Sequence, residues 1–322
     1  MDLGSVTYYS ISPRMLSLLS VIHHRLGEVH ARHLHLPSPD LERAYRISSV
    51  HATVAIEGGA LEPLPVAELV ARPHGVDTPE ALEVVNTHRV MEMISDLDPY
   101  MVPDLRRAHA VLMHGLSLDA GLFRSGPMDV LYGDPEPLRT ASAYNLPAVV
   151  EELLRHAEEN DFPPLITSCV LHFGLVYLRP FTAGNGRMAR LWQRRMLSTF
   201  WPVFAYLPLE AFILRAAPAY HAALEYADRR GDCGEFITYL LERIDEALSE
   251  LLAERDPVRS PIERVGAFLQ QYPRSSFRRK DYLAHYPELS TATATRDLRD
   301  TVNGGRLTMD GKGRAAVYRR KG

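Results

Sequence analysis

The most informative segment of the chain reads Leu178-Arg179-Pro180-Phe181-Thr182-Ala183-Gly184-Asn185-Gly186-Arg187-Met188-Ala189-Arg190. An apolar helix precedes it and should end before Pro180, because the residue before a proline avoids helical geometry. The glycines then predict a short loop, and a new helix is expected to begin near Asn185 or Gly186. Backbone N–H groups in such a loop form an anion-binding nest, and the positive end of the next helix adds to it. We therefore predict that this loop binds a phosphate group.

Two arginines follow in the first turn of that second helix. Arg187 and Arg190 are three residues apart, so their side chains are neighbours on the helix surface. Guanidinium groups bind phosphate oxygens through paired hydrogen bonds. Cations at a helix N-terminus oppose the helix dipole, which favours an anionic partner at this point. The alternative is a glycine loop whose arginines pair with acidic side chains of the protein itself.

The rest of the first 252 residues has mainly the apolar periodicity of helices. Ser38-Pro39 is a good N-cap and first-turn pair, and Gly58-Gly59 is a good stop, so one helix is predicted over 39–57. The fold class is therefore all-α. Apolar residues recur at spacings of three and four over residues 15–26, 41–56, 82–94, 105–116, 146–156, 165–178, 188–197 and 236–252.

The helical period lapses between Phe123 and Tyr144. There, Met128, Val130 and Leu131 precede the turn sequence Tyr132-Gly133-Asp134-Pro135, which predicts a short β-hairpin.

The last part of the chain differs in charge and pattern. Asp256-Pro257 and Ser260-Pro261 predict a linker, and the segment 274–322 carries twelve basic and five acidic residues, or +7, against a net charge of −4 for the whole chain. Helices over 262–272, 279–286 and 290–302, then strands over 307–309 and 315–318, predict a winged helix-turn-helix. A DNA-reading version would use Thr291, Thr293, Arg296 and Arg299 in a groove, with Lys312 and Arg314 on phosphates. The alternative is a winged helix that contacts a second copy or a protein partner, with solvated basic residues.

Composition excludes several classes of protein. Two cysteines, Cys169 and Cys233, make no disulfide framework and favour a reducing cytoplasm. The apolar run 16–22 is too short for a membrane span, so no membrane association is expected. The fourteen histidines are scattered without supporting Cys, Asp or Glu, so no metal site is predicted.

The segment 179–190 resembles the signature of the Fic (filamentation induced by cAMP) family, His-Pro-Phe-x-Asp/Glu-Gly-Asn-Gly-Arg-x-x-Arg. Seven signature positions match: Pro180, Phe181, Gly184, Asn185, Gly186, Arg187 and Arg190. The resemblance extends over about residues 38 to 252, and it divides the chain into an N-terminal helical region (1–98), a Fic core (99–255) and a winged helix (256–322). It implies a helical core whose β-hairpin at Met128, Val130 and Leu131 is a flap that aligns a target protein as an added strand.

Proteins of this family typically transfer AMP from ATP to a hydroxyl of a target protein. The resemblance implies that Gly184, Asn185, Gly186 and Arg187 surround the phosphates, with Arg190 near the γ-phosphate. Two departures stand against that activity. Arg179 replaces the family's histidine base, and a guanidinium accepts no proton at any working pH. Ala183 replaces the acidic residue that holds Mg²⁺, so Mg²⁺ binding is doubtful.

A second family feature lies upstream. Thr53-Val54-Ala55-Ile56-Glu57-Gly58 matches the inhibitory pattern Ser/Thr-x-x-x-Glu-Gly, whose glutamate pairs with the second signature arginine, here Arg190. Thr53 and Glu57 are one helical turn apart, so both can face the site. The alternative is a solvated glutamate at a helix end.

Three functions remain open. The first is a Fic-like protein that binds ATP or another phosphate ligand, lacks standard AMP transfer and acts as a regulator through its winged helix. The second is an AMP transferase that is autoinhibited by Glu57, and the third is an enzyme of changed reaction type. Partners in these hypotheses are a target protein along the flap and DNA through residues 274–321. The sequence leaves a homodimer open.

Overall fold

The chain divides into two compact units, Met1–Ala253 and Glu254–Gly322. The structure, a computed structural model, describes residues 8–32, 34, 35, 37–73, 76–126, 129, 130, 138, 139, 143–159, 161–253, 261–272, 276–286, 289–311, 313 and 316–321. The first unit contains both the predicted N-terminal region and the predicted core.

The first unit is built from helices, which confirms the predicted fold class. Three of them, α3, α9 and α10, were not predicted, and α5 ends at Leu112 instead of residue 116. The helices are α1 (Pro13–Ala31), α2 (Pro39–Ile56), α3 (Pro63–Ala71), α4 (Pro79–Met93), α5 (Val102–Leu112), α6 (Leu146–Glu159), α7 (Pro164–Leu178), α8 (Asn185–Phe200), α9 (Leu209–Arg215), α10 (Ala217–Arg230) and α11 (Gly234–Ala253).

Three of these helices begin with the same N-cap arrangement. Ser12, Ser38 and Thr78 each precede a proline, and each side-chain oxygen accepts a hydrogen bond from a backbone N–H of the first turn, at 3.2, 3.2 and 3.3 Å. The proline supplies helical φ at a position whose N–H has no partner in the helix. This is why α2 starts where the sequence predicts it.

Helix α7 lies at the centre of the unit. Its residues are almost all buried, because α6, α8 and α11 pack against it. Helix α8 is tied to its surroundings by buried polar groups: Arg194 binds Glu210 of α9 and donates 2.7 Å to Ser49 Oγ of α2. These bonds tie the middle of α8 to α2 and α9.

The predicted hairpin is present in the first unit. Strand β1 (Asp129–Val130) pairs antiparallel with β2 (Leu138–Arg139), in the register Asp129 to Arg139 and Val130 to Leu138. Met128 and Leu131 lie outside the described residues.

The second unit contains α12 (Pro261–Gln271), β3 (Ser276–Arg278), α13 (Arg279–His285), α14 (Thr291–Asn303), β4 (Leu307–Asp310) and β5 (Val317–Arg320). Its sheet is antiparallel in the order β3-β5-β4. Phe268, Phe277, Tyr282, Leu298 and Tyr318 belong to its own hydrophobic core. The helices and the last two strands occur in the predicted order, but β5 lies two residues later than predicted and β3 was not predicted.

In the described part of the chain, no helix combines the length and apolar composition that a bilayer crossing requires.

Candidate anion-binding site

The loop between α7 and α8 has left-handed backbone at both ends. Arg179 (φ 46°, ψ 64°) caps α7, and Gly184 (φ 75°, ψ 8°) caps the start of α8. Among the described residues, Arg179 is the one non-glycine residue with positive φ. That conformation costs an L-residue about 1–3 kcal/mol, so the surrounding contacts must hold it in place.

Arg124 supplies those contacts. Its buried guanidinium donates to the carbonyl oxygens of Arg179 (Nε, 2.7 Å), Leu178 (Nη2, 3.2 Å) and Gly126 (Nη1, 2.6 Å). Its backbone N–H also donates 2.9 Å to Pro180 O. Arg124 thus satisfies carbonyl groups at the end of α7, where the helix itself offers no donor.

The Asn185 side chain holds the loop closed on itself. Its Oδ1 accepts from the Phe181 N–H at 3.0 Å, and its Nδ2 donates to Phe181 O at 2.8 Å. The Asn185 amide was predicted to contact a ligand, but in the structure it already has partners within the loop. The first N–H groups of α8, at Asn185, Gly186 and Arg187, have no carbonyl partner within the helix and remain suited to an anion.

His109 of α5 fixes the loop from the other side. Its Nδ1 accepts from the Gly121 N–H at 2.9 Å, so its Nε2 carries the proton and donates to Ala183 O at 3.0 Å. The ring stacks on Phe181 with centroids 3.6 Å apart. Burial lowers the pKa of His109 to about 4, so the ring is neutral and keeps this tautomer at neutral pH.

The structure brings Thr53, Glu57 and Arg190 together, as the sequence predicts. Arg190 Nε donates to Thr53 Oγ1 at 2.8 Å, and Arg190 Nη2 donates to Thr53 O at 3.0 Å and to Glu57 Oε1 at 2.7 Å. A Cβ atom on Gly186 would overlap the Glu57 carboxylate. A carboxylate therefore lies directly against the glycine at the positive end of α8.

The electrostatics of this pair follow from its position. Burial opposes ionisation of Glu57, but the Arg190 guanidinium outweighs it, so the pKa of Glu57 lies below its usual value. Burial likewise opposes the charge of Arg190, and Glu57 outweighs it and raises the Arg190 pKa. Arg190 is 1% exposed and Glu57 is 40% exposed, so water screens one side of the ion pair.

The Arg187 side chain is buried and has unpaired hydrogen-bond donors. Its Nη2 lies 3.1 Å from Glu83 Oε1 of α4 and 3.7 Å from the Met113 sulfur. Its Nε and Nη1 are buried and have no hydrogen-bond partner. Burial lowers the pKa of Arg187, against the opposing effect of Glu83. A buried donor without an acceptor costs about 1–3 kcal/mol, so this side chain is suited to an acceptor from outside the protein.

A buried chain of hydrogen bonds continues from Arg190 into the core. Arg190 Nη1 lies 3.5 Å from the Tyr220 hydroxyl, which lies 2.9 Å from His172 Nε2, and His172 Nδ1 donates 2.7 Å to Gln193 Oε1. Because Nδ1 carries the proton, Nε2 accepts from the Tyr220 hydroxyl. Burial lowers the pKa of His172 to about 3. Both ring nitrogens are in use, so His172 packs the core, as the sequence favours.

The two departures from the signature lie beside this anion site. The Arg179 side chain is half-buried, and its charge acts on the Tyr220 hydroxyl next to Arg190. Ala183 offers no metal ligand, and in the described part of the chain no three His, Cys, Asp or Glu side chains are grouped to hold a metal. The nearby Asp119 accepts hydrogen bonds from Thr182 and Ser117. These residues do not fit Mg²⁺ in the family's manner.

The remaining predicted site residues lie elsewhere. Val130 is in β1 of the hairpin, while Met128, Leu131, Lys312 and Arg314 lie outside the described residues. Arg296 and Arg299 are exposed on α14 of the second unit.

Sequence reasoning missed the residues that shape the loop: His109, Met113, Arg124 and Tyr220. The resemblance over residues 38 to 252 includes these positions but gives none of them a role. Their bonds to the loop and to Arg190 reach backbone carbonyls or side chains at least 30 residues away.

Comparison with known proteins relates the chain to one family. The model of the Fic/DOC family matches residues 99–197. The curated "Protein adenylyltransferase Fic" of Nematostella vectensis is 28% identical over 179 residues, which are 54% of this chain and 38% of that protein. The chain thus spans about two fifths of the length of that relative.

Solved structures show the same fold. A Fic family protein from Desulfovibrio desulfuricans G20 superimposes with a TM-score of 0.72 at 26% identity, over 98% of each chain. Fic-1 from C. elegans superimposes with a TM-score of 0.57 at 20% identity, over 74% of this chain and 71% of that chain. The second likeness concerns the fold alone.

Proposed function

Because residues 99–197 match the model of the Fic/DOC family, we propose that this chain binds a nucleotide or another phosphate compound at the start of α8, and that it lacks the AMP transfer that gives its curated relative its name. In this proposal, Glu57 closes the site and the ligand displaces it. ATP is the first ligand to test, and Mg²⁺ is not required for binding.

One observation carries the proposal: the Glu57 carboxylate lies against Gly186 and on Arg190. Helix N-termini and glycine nests attract anions through exposed N–H groups and the helix dipole. The protein's own carboxylate occupies this position. A phosphate group has the same charge sign and more acceptor oxygens, so it can replace the carboxylate without any new cationic residue.

Arg187 supports the same conclusion independently. Its side chain is 6% exposed and has two buried nitrogen atoms, Nε and Nη1, whose N–H groups no acceptor satisfies. These donors lie on the turn of α8 that carries Gly186. A ligand with several oxygens would bind Arg187 and the backbone N–H groups of the loop together. Binding would then recover the free energy that the unpaired donors cost the protein without ligand.

The absence of a base argues against transfer. A hydroxyl nucleophile needs a proton acceptor, and a positioned base contributes about 10² to 10⁴ in rate. Arg179 cannot accept a proton. His109 and His172, which contact the loop and Tyr220, both have lowered pKa values and use both ring nitrogens inside the protein. Without a carboxylate at position 183, no step is assigned to a metal.

The alternative is an AMP transferase held inactive by Glu57. It is favoured by the name of the curated relative and by the Glu57–Arg190 pair itself. On this reading the pair blocks the placement of the nucleotide, and chemistry follows when the pair opens.

Incubation with α-labelled ATP and Mg²⁺ separates the two. We expect the Glu57→Ala variant to bind ATP in equilibrium dialysis yet to show no label after denaturing electrophoresis. Glu42→Ala is the matched control, since Glu42 lies on the same helix and pairs with Arg46. Covalent label on the Glu57→Ala protein would establish the alternative. Absence of ATP binding to every variant would remove the ligand-binding proposal.

A further inference from the structure

Helix α14 of the second unit has two distinct faces. Ala294, Asp297, Leu298 and Thr301 are buried against the unit's core. The opposite face is exposed and consists of Thr291, Ala292, Thr295, Arg296, Arg299 and Asn303. At 1.5 Å per residue, the 13-residue helix is about 20 Å long, and Arg296 and Arg299 are about 4.5 Å apart along its axis.

Asp297, in the middle of α14, is buried and forms an ion pair. Asp297 is 1% exposed and accepts two hydrogen bonds from Arg264 of α12, both at 2.7 Å. The Tyr282 hydroxyl of α13 donates a third at 3.1 Å. These bonds fix α14 on α12 and α13, so the helix is a rigid element whose exposed face keeps its cations.

The second unit carries a basic charge beyond that of α14. Segment 274–322 carries +7, while the rest of the chain carries −11, which follows from −4 for the whole chain minus 7. Arg278, Lys280, Arg319, Arg320 and Lys321 are exposed. A surface of this kind recruits polyanions through release of their counterions.

The exposed face of α14 lacks what a protein interface needs. Protein interfaces are centred on large aromatic or aliphatic anchors. This face has none, and Met309 of β4 is the large apolar side chain with high exposure in the described part of the unit. Small Thr and Ala side chains instead allow a helix, about 10–12 Å across, to enter a major groove about 12 Å wide.

From these observations we propose that α14 enters the major groove of duplex DNA, with Arg296 and Arg299 contacting phosphates or base edges. Asp300 lies 3.5 Å from Arg299 and is partly exposed, so it competes with DNA for that arginine. The proposal does not depend on the ligand of the first unit, and the two can fail separately.

The test uses the full chain and a fluorescein-labelled duplex of random sequence, about 30 base pairs long, followed by fluorescence anisotropy over a series of KCl concentrations. The unaltered protein should bind with an affinity that falls steeply with salt. Arg296→Ala with Arg299→Ala should weaken binding about tenfold or more and reduce the slope of log K against log salt by about 2, one unit per phosphate lost.

Two further variants make the test specific. Arg107→Ala with Arg155→Ala changes the net charge equally on exposed residues of the first unit and should leave binding unchanged. Asp300→Asn should tighten binding, because it frees Arg299 and removes a repulsive charge. Circular dichroism verifies that each variant is folded. Salt-independent binding, equal losses in both double variants, or tighter binding to single-stranded RNA of the same length would each overturn the assignment.

Discussion

Replacing Glu57 with alanine is expected to tighten ATP binding by about 5- to 30-fold. The carboxylate donates nothing to a ligand and must leave before an anion reaches Gly186 and Arg190. A hydrogen bond between charged groups contributes about 1.5–3 kcal/mol when it is well buried. Glu57 is 40% exposed, so solvent screening reduces this to about 1–2 kcal/mol. Each 1.4 kcal/mol corresponds to about tenfold in affinity, which gives the stated range.

Isothermal titration calorimetry measures this effect directly. ATP and inorganic triphosphate are titrated in the presence of EDTA, because the proposal assigns no role to a metal. Glu42→Ala is the control. The Glu42 side chain is 44% exposed and pairs with Arg46 at 2.6 Å, and it lies on α2, the helix that Glu57 caps. The reasoning is refuted if Glu57→Ala binds no more tightly than the unaltered protein, or if Glu42→Ala gains as much.

Three other changes test separate parts of the site. Arg187→Ala, made together with Glu57→Ala, should weaken ATP binding about tenfold or more by calorimetry, because it removes the buried donors; unchanged affinity would show that Arg187 faces no ligand. Tyr220→Phe should lower the free energy of unfolding by about 1–3 kcal/mol in urea titrations, since it leaves His172 Nε2 without a donor; a stable variant would contradict the chain of bonds. The folded-state pKa of His109, about 4, lies below the unfolded value of about 6.5, so the unfolded state takes up the proton first and stability is lost as pH falls. Between about pH 7 and about pH 5 this group should cost about 2 kcal/mol, and urea titrations of His109→Gln should show a correspondingly smaller loss than the unaltered protein.

Local chemistry explains what could be predicted from the sequence. Serine or threonine before proline marks the start of a helix, and Pro180 followed by glycines marks the break between α7 and α8, because these residues act on backbone within a few positions of themselves. The approach of Glu57 to Arg190 was predicted from the family pattern together with the helical spacing of Thr53 and Glu57. The structure brings these side chains together.

Contacts between distant residues could not be predicted where no family pattern marks them. Arg124 holds carbonyl groups 54 and 55 residues away, and a carbonyl has no signature in the sequence. His109 likewise binds the carbonyl of residue 183, which is 74 residues away. The amide of Asn185 was expected at a ligand, but it closes the loop onto Phe181, four residues before it. Strand β3 has three residues, too few for alternation to be recognised.

The central claim concerns two side chains, Arg179 and Ala183, that can neither accept a proton nor bind a metal. Intact-protein mass spectrometry after incubation with ATP and Mg²⁺ tests it most directly, on Glu57→Ala alone and on the same variant with Arg179→His and Ala183→Asp. The account predicts an AMP adduct on the second protein and none on the first. An adduct on the first, or none on a folded, ATP-binding second protein, would contradict it.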